Sequence, residues 1–297
     1  MSTALTTTAS GSRRKAAAAT WPRRTFIAGV AILGAGVLLA VFAPLFGDPY
    51  ATPVDGLTPT GLPLGVLSPG HILGTDSLGR DMLARVAYGA RASLEIAFIS
   101  NITSVGLGVI VGLVAGFYRG WVEHALMRVT DVFLAVPTVI SGLALASVLG
   151  TGVLGIATVV TALYWAWTAR VVFGETLALR RRTFVEASIA MGAPGRTVIR
   201  RHILPNLASL IATIAAFNGA TVVAVGSGLS YLGAGIQPPT QEWGNMLAEG
   251  QGAIDYAPHL LIVPLACVVL IVFGFVLIGE ALSRRGAVSL QRSWLDI

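Results

Sequence analysis

The sequence predicts an all-α, polytopic membrane protein with about six transmembrane helices, and three observations carry that expectation. Of 297 residues, 55% are apolar and only 11% are charged, whereas a soluble domain carries roughly a quarter charged residues; mean hydropathy is +0.78. Several charge-free runs reach the ~20 residues needed to cross a bilayer as a helix. The 20 Lys and Arg residues are also partitioned. With the N-terminus inside, only Arg80, Arg85 and Arg91 fall in outer segments, the asymmetry that the positive-inside rule demands. The net charge of +6 lies between apolar runs, so it sets orientation among membrane lipids and does not suggest nucleic acid as a partner.

Taken in order, residues 1–24 are basic and rich in Ala, Thr and Ser, and are expected to form a disordered cytoplasmic tail. Residues 25–46 form the first span. The Pro22-Arg23-Arg24-Thr25-Phe26 stretch resembles a twin-arginine export signal. No clear small-residue cleavage site precedes Asp48 and five more spans follow, so a retained anchor is expected. Residues 47–92 are rich in Pro and Gly and make the extracytoplasmic segment. Residues 96–118 are the second span. The charge-free run 132–169 is roughly twice too long for one helix, and Gly150-Thr151-Gly152 divides it into helices over about 125–148 and 153–173, with Pro137 a candidate kink. Residues 203–241 begin as a helix, but Gly233, Gly235, Pro238 and Pro239 make their last part a poor one. Residues 256–279 close the set. A five-helix core over 93–282 therefore carries an inner loop at 176–205. The tail 283–297 returns to the cytoplasmic side.

Catalytic constellations are missing from the sequence. A P-loop needs Gly-Lys-Ser/Thr, the lysine reaching the terminal phosphates; the single lysine, Lys15, has no such setting. Any ATP hydrolysis belongs to another polypeptide. His71, His124, His202 and His259 show no metal-ligand spacing, and one cysteine, Cys267, allows no internal disulfide. His71, Asp76 and Ser77 crowd too closely in sequence to converge as a hydrolytic triad. Gly226-Ser227-Gly228 and Gly233-Ala234-Gly235 lack the strand-turn-helix setting of a nucleotide loop. Glu95, Asp131, Arg170 and Glu175 all sit near expected span ends, with Arg128 and Asp131 spaced for an i,i+3 pair, which argues against an ion-coupled transporter. Gly106, Gly108, Gly112 and Gly116, with Gly219 and Gly226, suggest tight helix crossings.

The inner loop holds the most specific pattern. Thr183-x-x-Glu186 reads as a capping box, opening a short helix with Phe184, Ala187 and Met191 on one face. Gly192 supplies a left-handed ending. A second short helix is expected from about Arg196 to Ile203, and Pro205 opens the next span.

This loop resembles the cytoplasmic coupling loop of ABC importer permeases, written E-A-A-x(3)-G-x(9)-I-x-L-P. Glu186, Ala187, Gly192, Leu204 and Pro205 match in register, while Ser188 and His202 depart from it. The run from His71 to Asp81 is similar to the H-x-L-G-T-D-x-L-G-R-D segment of peptide importer permeases; Tyr231-Leu232-Gly233 and Trp243-Gly244-Asn245 resemble their outer segment. The resemblance covers roughly residues 25–280 and is to the C-type permease of dipeptide/oligopeptide ABC importers, a branch that includes nickel permeases. Ser283-Arg284-Arg285-Gly286 departs from that branch's acidic ending.

The resemblance implies a type I ABC importer permease fold in the bacterial inner membrane, forming half of a pathway for di- or oligopeptides, nickel complexes or glutathione-like molecules. It implies a second homologous permease, two cytoplasmic ABC ATPase subunits holding ATP and Mg, an extracytoplasmic substrate-binding protein, and no cofactor in this chain. Thr183, Glu186, Ala187, Ser188, Gly192, Leu204 and Pro205 would then couple to an ATPase. Asp76, Arg80, Asp81 and Arg91 either contact the binding protein or brace the outer segment.

Overall fold

The computed structural model describes the backbone of residues 7–150 and 152–293, and the side chains of residues 23–150 and 152–284. The described residues form ten α-helices: α1 (Thr7–Val41), α2 (Met82–Tyr118), α3 (Gly120–Ala135), α4 (Thr138–Leu149), α5 (Val153–Arg180), α6 (Thr183–Ala190), α7 (Gly195–Val198), α8 (Leu204–Leu229), α9 (Trp243–Gln251) and α10 (His259–Ser293). Five stretches are long and apolar enough to cross a membrane, and the bent pair α3–α4 makes a sixth.

The organising contact is between α2 and α5. Gly108, Gly112 and Gly116 repeat every four residues and so share one face of α2. A Cβ at Gly108 would lie 2.5 Å from Thr168 Cβ, one at Gly112 2.7 Å from the Ala169 carbonyl, and one at Gly116 2.7 Å from Thr176 Cβ. Only glycine allows backbones to approach so closely in lipid, where dispersion and packing replace the hydrophobic drive. Residue numbers rise together along this contact, as they do from the Ser100–Ala157 to the Thr103–Thr161 hydrogen bonds, so α2 and α5 run parallel. The chain between them must recross the bilayer, and that makes α3–α4 a single broken span rather than a re-entrant loop. The break is 97° and falls at Pro137, which lacks an N–H and clashes with the preceding turn. A helix continuous over 125–148 is thus corrected to two pieces.

The other contacts are antiparallel. Gly29 of α1 meets Ile278 of α10 and Gly36 meets Ile271, so Arg23 and Arg284 lie at the same end of the bundle. Gly219 of α8 meets Phe275, and Asn101 of α2 donates to the Ala215 carbonyl of α8 at 3.0 Å. By contrast Gly106 meets nothing within 4 Å and Gly226 only Ile96, at 3.9 Å. Those two glycines do not mark tight crossings.

Several boundaries move. The backbone of α1 is helical from Thr7, within the segment expected to be disordered; Arg14-Lys15-Ala16 and the alanines after it are strong helix formers. Residues 1–6 and 294–297, parts of the two expected tails, lie outside the described residues, and α10 continues to Ser293 past the expected boundary at 282. Helix α2 begins at Met82, not in the nineties, because the Asp81 carboxylate caps it by accepting the Ala84 N–H at 2.9 Å. Its 37 residues span about 55 Å, so its first turns stand outside the ~30 Å hydrocarbon layer and can carry Arg85 and Arg91.

Gly112→Leu is expected to force α2 and α5 apart at a cost of about 1–3 kcal/mol, lowering the thermal midpoint of the detergent-solubilised protein. Gly106→Leu, facing open space, should leave it within experimental error.

Candidate functional site

Helices α6 and α7 form a hairpin at the end of the bundle where Arg119, Arg180, Arg181 and Arg182 gather. Val185, Val198 and Ile203 are fully buried in a cluster with Leu113, Phe117, Val172 and Leu207, so the hairpin is bolted to α2, α5 and α8. Helix α6 ends in a Schellman motif: Ala193 N–H donates to the Ser188 carbonyl at 3.1 Å and Gly192 N–H to that of Ile189 at 2.9 Å. Gly192 has φ +81°, a conformation that side chains with a Cβ resist. The expected glycine turn is present.

The capping box is not. Arg182, not Thr183, is the N-cap, and its carbonyl accepts the Glu186 N–H at 3.0 Å. Thr183 lies one residue inside the helix, too far along to cap it. Glu186 is exposed and takes part in no ion pair among the described residues. It borders a cleft of about 360 Å³ shared with Arg119, Arg180, Arg181, Ile189 and Ala190. Thr183, Ala187, Gly192, Leu204 and Pro205 are exposed and Ser188 is buried. Between them Phe184 is 46% and Met191 82% exposed, an apolar face with nothing covering it. The second expected helix is not separate. Residues 199–203 make one wide π-type turn in which Leu204 N–H donates to the Ile199 carbonyl, and the helix runs on from Gly195 as far as the non-helical Gly233. Pro205 has no N–H to give the ladder, and the widened turn accommodates it.

The outer residues form a second constellation. Asp76 is buried; its Oδ1 accepts the N–H groups of Leu78 (2.8 Å) and Arg80 (2.9 Å), and its Oδ2 accepts Arg80 Nε and Arg85 Nη1, both at 2.6 Å. Arg85, only 3% exposed, also donates from Nε to Gln241 (2.7 Å) and from Nη2 to Glu249 (2.6 Å). Asp81 holds His71 Nδ1 at 2.7 Å, and Arg91 donates to the carbonyls of Ala40 and Val41 at the end of α1. Asp76, Arg80 and Asp81 are thus bonded within the loop before α2 and to α2 itself, while Arg91 ties α2 to the end of α1. Arg85, Gln241 and Glu249, which complete the brace, escape sequence reading because Arg85 lies more than 150 residues from its two partners in the chain.

Beside them, Glu242 caps α9. It is 1% exposed, accepting the Ser93 hydroxyl and the Asn245 N–H, each at 3.1 Å. Burial raises its carboxyl above the ordinary value of 4.5, opposed by those hydrogen bonds.

Inside the membrane, Asn218 of α8 donates to Asn101 Oδ1 and Ser104 Oγ of α2, both at 2.9 Å, polar glue between spans. Asp131 of α3 pairs with Arg170 of α5, not with Arg128 as the i,i+3 spacing suggests. Helix α5 continues ten residues beyond Arg170 to Arg180.

A profile described as "Binding-protein-dependent transport system inner membrane component" matches residues 108–286, well over half of the chain. The chain belongs to that family. Relatives named "Glutathione transport system permease protein GsiD" are 37% identical over 215 residues in Pectobacterium atrosepticum, covering 72% of this chain and 71% of the relative. In Escherichia coli O157:H7 the figure is 38% over 212 residues, covering 71% and 70%. The fold is similar to a chain of the inward-facing MetNI methionine ABC transporter, with a TM-score of 0.58 at 20% identity, covering 69% of this chain and 97% of that one. The protein is therefore an ABC importer permease, a multi-pass transport component rather than a catalyst.

In this permease, Arg85→Met should leave buried Asp76 short of a partner at a cost of about 3 kcal/mol or more, read as a lower thermal midpoint in detergent. Glu242→Gln should do the opposite in a pH-dependent way. The unfolded chain ionises this carboxyl near 4.5 while the folded one resists, so wild-type stability falls as pH rises through that window and beyond, up to the raised folded value. The midpoint advantage of Glu242→Gln should therefore be larger at pH 7.5 than at pH 4.5.

Proposed function

We propose that this permease is half of the membrane pathway of an ATP-driven importer of small peptides, glutathione-like tripeptides among them, and that the α6–α7 hairpin is where a cytoplasmic ATPase subunit grips it. The observation that carries this reading is the uncovered apolar face of α6, Phe184 and Met191, on a hairpin rigidly fastened to three spans. A free-standing protein gains nothing from exposing Met191 beside a carboxylate and a cluster of arginines, whereas a docking partner gains the apolar area. The arginines at this end favour the cytoplasmic side for it and for both termini.

Two ATPase subunits carrying ATP and Mg, a second homologous permease and an extracytoplasmic binding protein complete the machine. When the ATPases close on ATP, the hairpin moves as one body with α8, and the bundle is driven between inward- and outward-facing states. The GsiD relatives support the peptide class; the hairpin and the family support the importer cycle.

Burying a Met or Phe side chain on docking contributes about 1.5–3 kcal/mol. Met191→Ser should therefore weaken ATPase attachment roughly tenfold or more, measured by co-purification across a dilution series. Gly192→Asp, which misaims the hairpin, should abolish substrate-stimulated ATP hydrolysis while membrane insertion stays normal. Wild-type peptide import in a Met191→Ser, Gly192→Asp double variant would overturn the reading.

A further inference from the structure

The cleft beside α6 holds a buried donor that docking of the Phe184–Met191 face does not use. Arg119 enters the cleft from the junction of α2 and α3, Arg180 and Arg181 from the end of α5, and Glu186 from α6. Three arginines against one carboxylate, 3 − 1, leave it with a formal charge of +2. The guanidinium carbon of Arg180 lies 5.6 Å from the centre of the Phe117 ring, and its Nε is buried with no hydrogen-bond partner among the described residues. A buried donor left without an acceptor is costly, more so when it is charged. Arg119 has a loose contact with Glu123, at 3.9 Å.

Two ordinary roles for arginine do not account for this. Arginines at a helix C-terminus balance its dipole, which explains Arg180 and Arg181 alone. Arg119 comes from another junction, where its backbone is held at φ +55°, a conformation uncommon for residues with a Cβ. Arginines gathered at one end of a bundle fix its orientation, but solvated side chains serve that purpose equally and leave no Nε withdrawn from water. The cleft is also distinct from the apolar face. Glu186, Ile189 and Ala190 border it at i, i+3 and i+4, whereas Phe184, Ala187 and Met191 share another side of α6, about 140° away at 100° per residue.

We propose that this cleft is an anion site that takes a phosphate group, held between Arg119, Arg180 and Arg181, which supplies the acceptor that the protein does not give Arg180. Guanidinium groups converging from two elements suit the tetrahedral oxygens of a phosphate better than the two coplanar oxygens of a carboxylate. The cleft, of about 360 Å³, has room for the group. Bound there, phosphate would tie the α2–α3 junction to the end of α5 against the flank of α6 and so brace the hairpin. Free phosphate and the headgroup of an anionic phospholipid share this chemistry. The site does not rest on the importer reading.

Thermal midpoints of the full-length permease in an uncharged detergent test the site. One probe is inorganic phosphate against chloride at constant ionic strength; the other is phosphatidylglycerol against phosphatidylcholine in mixed micelles. At least one should raise the midpoint saturably. A response to inorganic phosphate identifies a free anion, and one to phosphatidylglycerol alone identifies a lipid. Arg180→Gln and, separately, Arg119→Gln should each weaken the apparent affinity about tenfold or more, the loss expected when a charge-assisted hydrogen bond is removed. Glu186→Gln should strengthen it by removing a like charge. Arg119 is half exposed, so its variant keeps the test open if loss of Arg180 unsettles Phe117. No saturable rise with either probe, or a rise that both arginine variants leave unchanged, overturns the proposal. The part of the response that Arg119→Gln removes should persist in the assembled, nucleotide-free transporter. Its disappearance there means that an acidic side chain of the ATPase fills the cleft, and overturns phosphate as the occupant. Failure of Met191→Ser to weaken ATPase attachment bears on the docking face alone.

Discussion

The parallel contact of α2 with α5 is the constraint on which the rest of the molecule depends. Three glycines one turn apart let the two backbones touch along their inner halves, and nothing larger fits. Because both helices then descend in the same direction, the segment between them must climb back through the bilayer. It does so in two pieces because Pro137 breaks it. The same contact sets the inner ends of α2 and α5 side by side, so that Phe117 and Val172 form the floor into which Val185 and Val198 of the hairpin sink. The seat of the hairpin, the broken span and the helix directions are thus consequences of one close approach.

Much of this is legible in the amino-acid order. Long charge-free runs, the arginine asymmetry and the Gly192 turn all rest on local chemistry, and local chemistry is what a sequence displays. The capping box fails for an equally local reason: the helix starts one residue earlier than Thr183 requires, and the Arg182 carbonyl satisfies the Glu186 N–H. Hydrophobicity alone misses the start of α2. A helix that projects beyond the bilayer is announced by its Asp81 cap and not by its apolarity. The same criterion ends α5 too early, because apolarity fades near 173, while the helix runs on to Arg180. Glycine spacing alone cannot separate Gly108, which is tightly packed, from Gly106, which is not. That distinction depends on which face of α2 another helix covers.

The outer segment shows how a specific motif and a structural role coincide. In the run from His71 to Asp81, Asp76 closes its own loop, Asp81 opens α2, and His71 steadies Asp81. What ties the loop to the bundle is Arg85, from one turn inside α2, reaching Gln241 just before α9 and Glu249 within it. The segment before α2 is therefore a stiff cap bonded to the spans rather than a loose loop.

The helical run from Gly195 to the kink at Gly233 has a mechanical consequence. It makes a rod about 57 Å long, one tip of which belongs to the α6–α7 hairpin while the other reaches the turn at Gly233, near the buried Glu242. The Asn101–Asn218–Ser104 cluster holds this rod to α2 part-way along. A tilt of only about 5° about that point separates the two tips by about 5 Å relative to their starting lines, in opposite directions. Movement at one tip would thereby be tied to opposite movement at the other without any residue in between having to change its conformation.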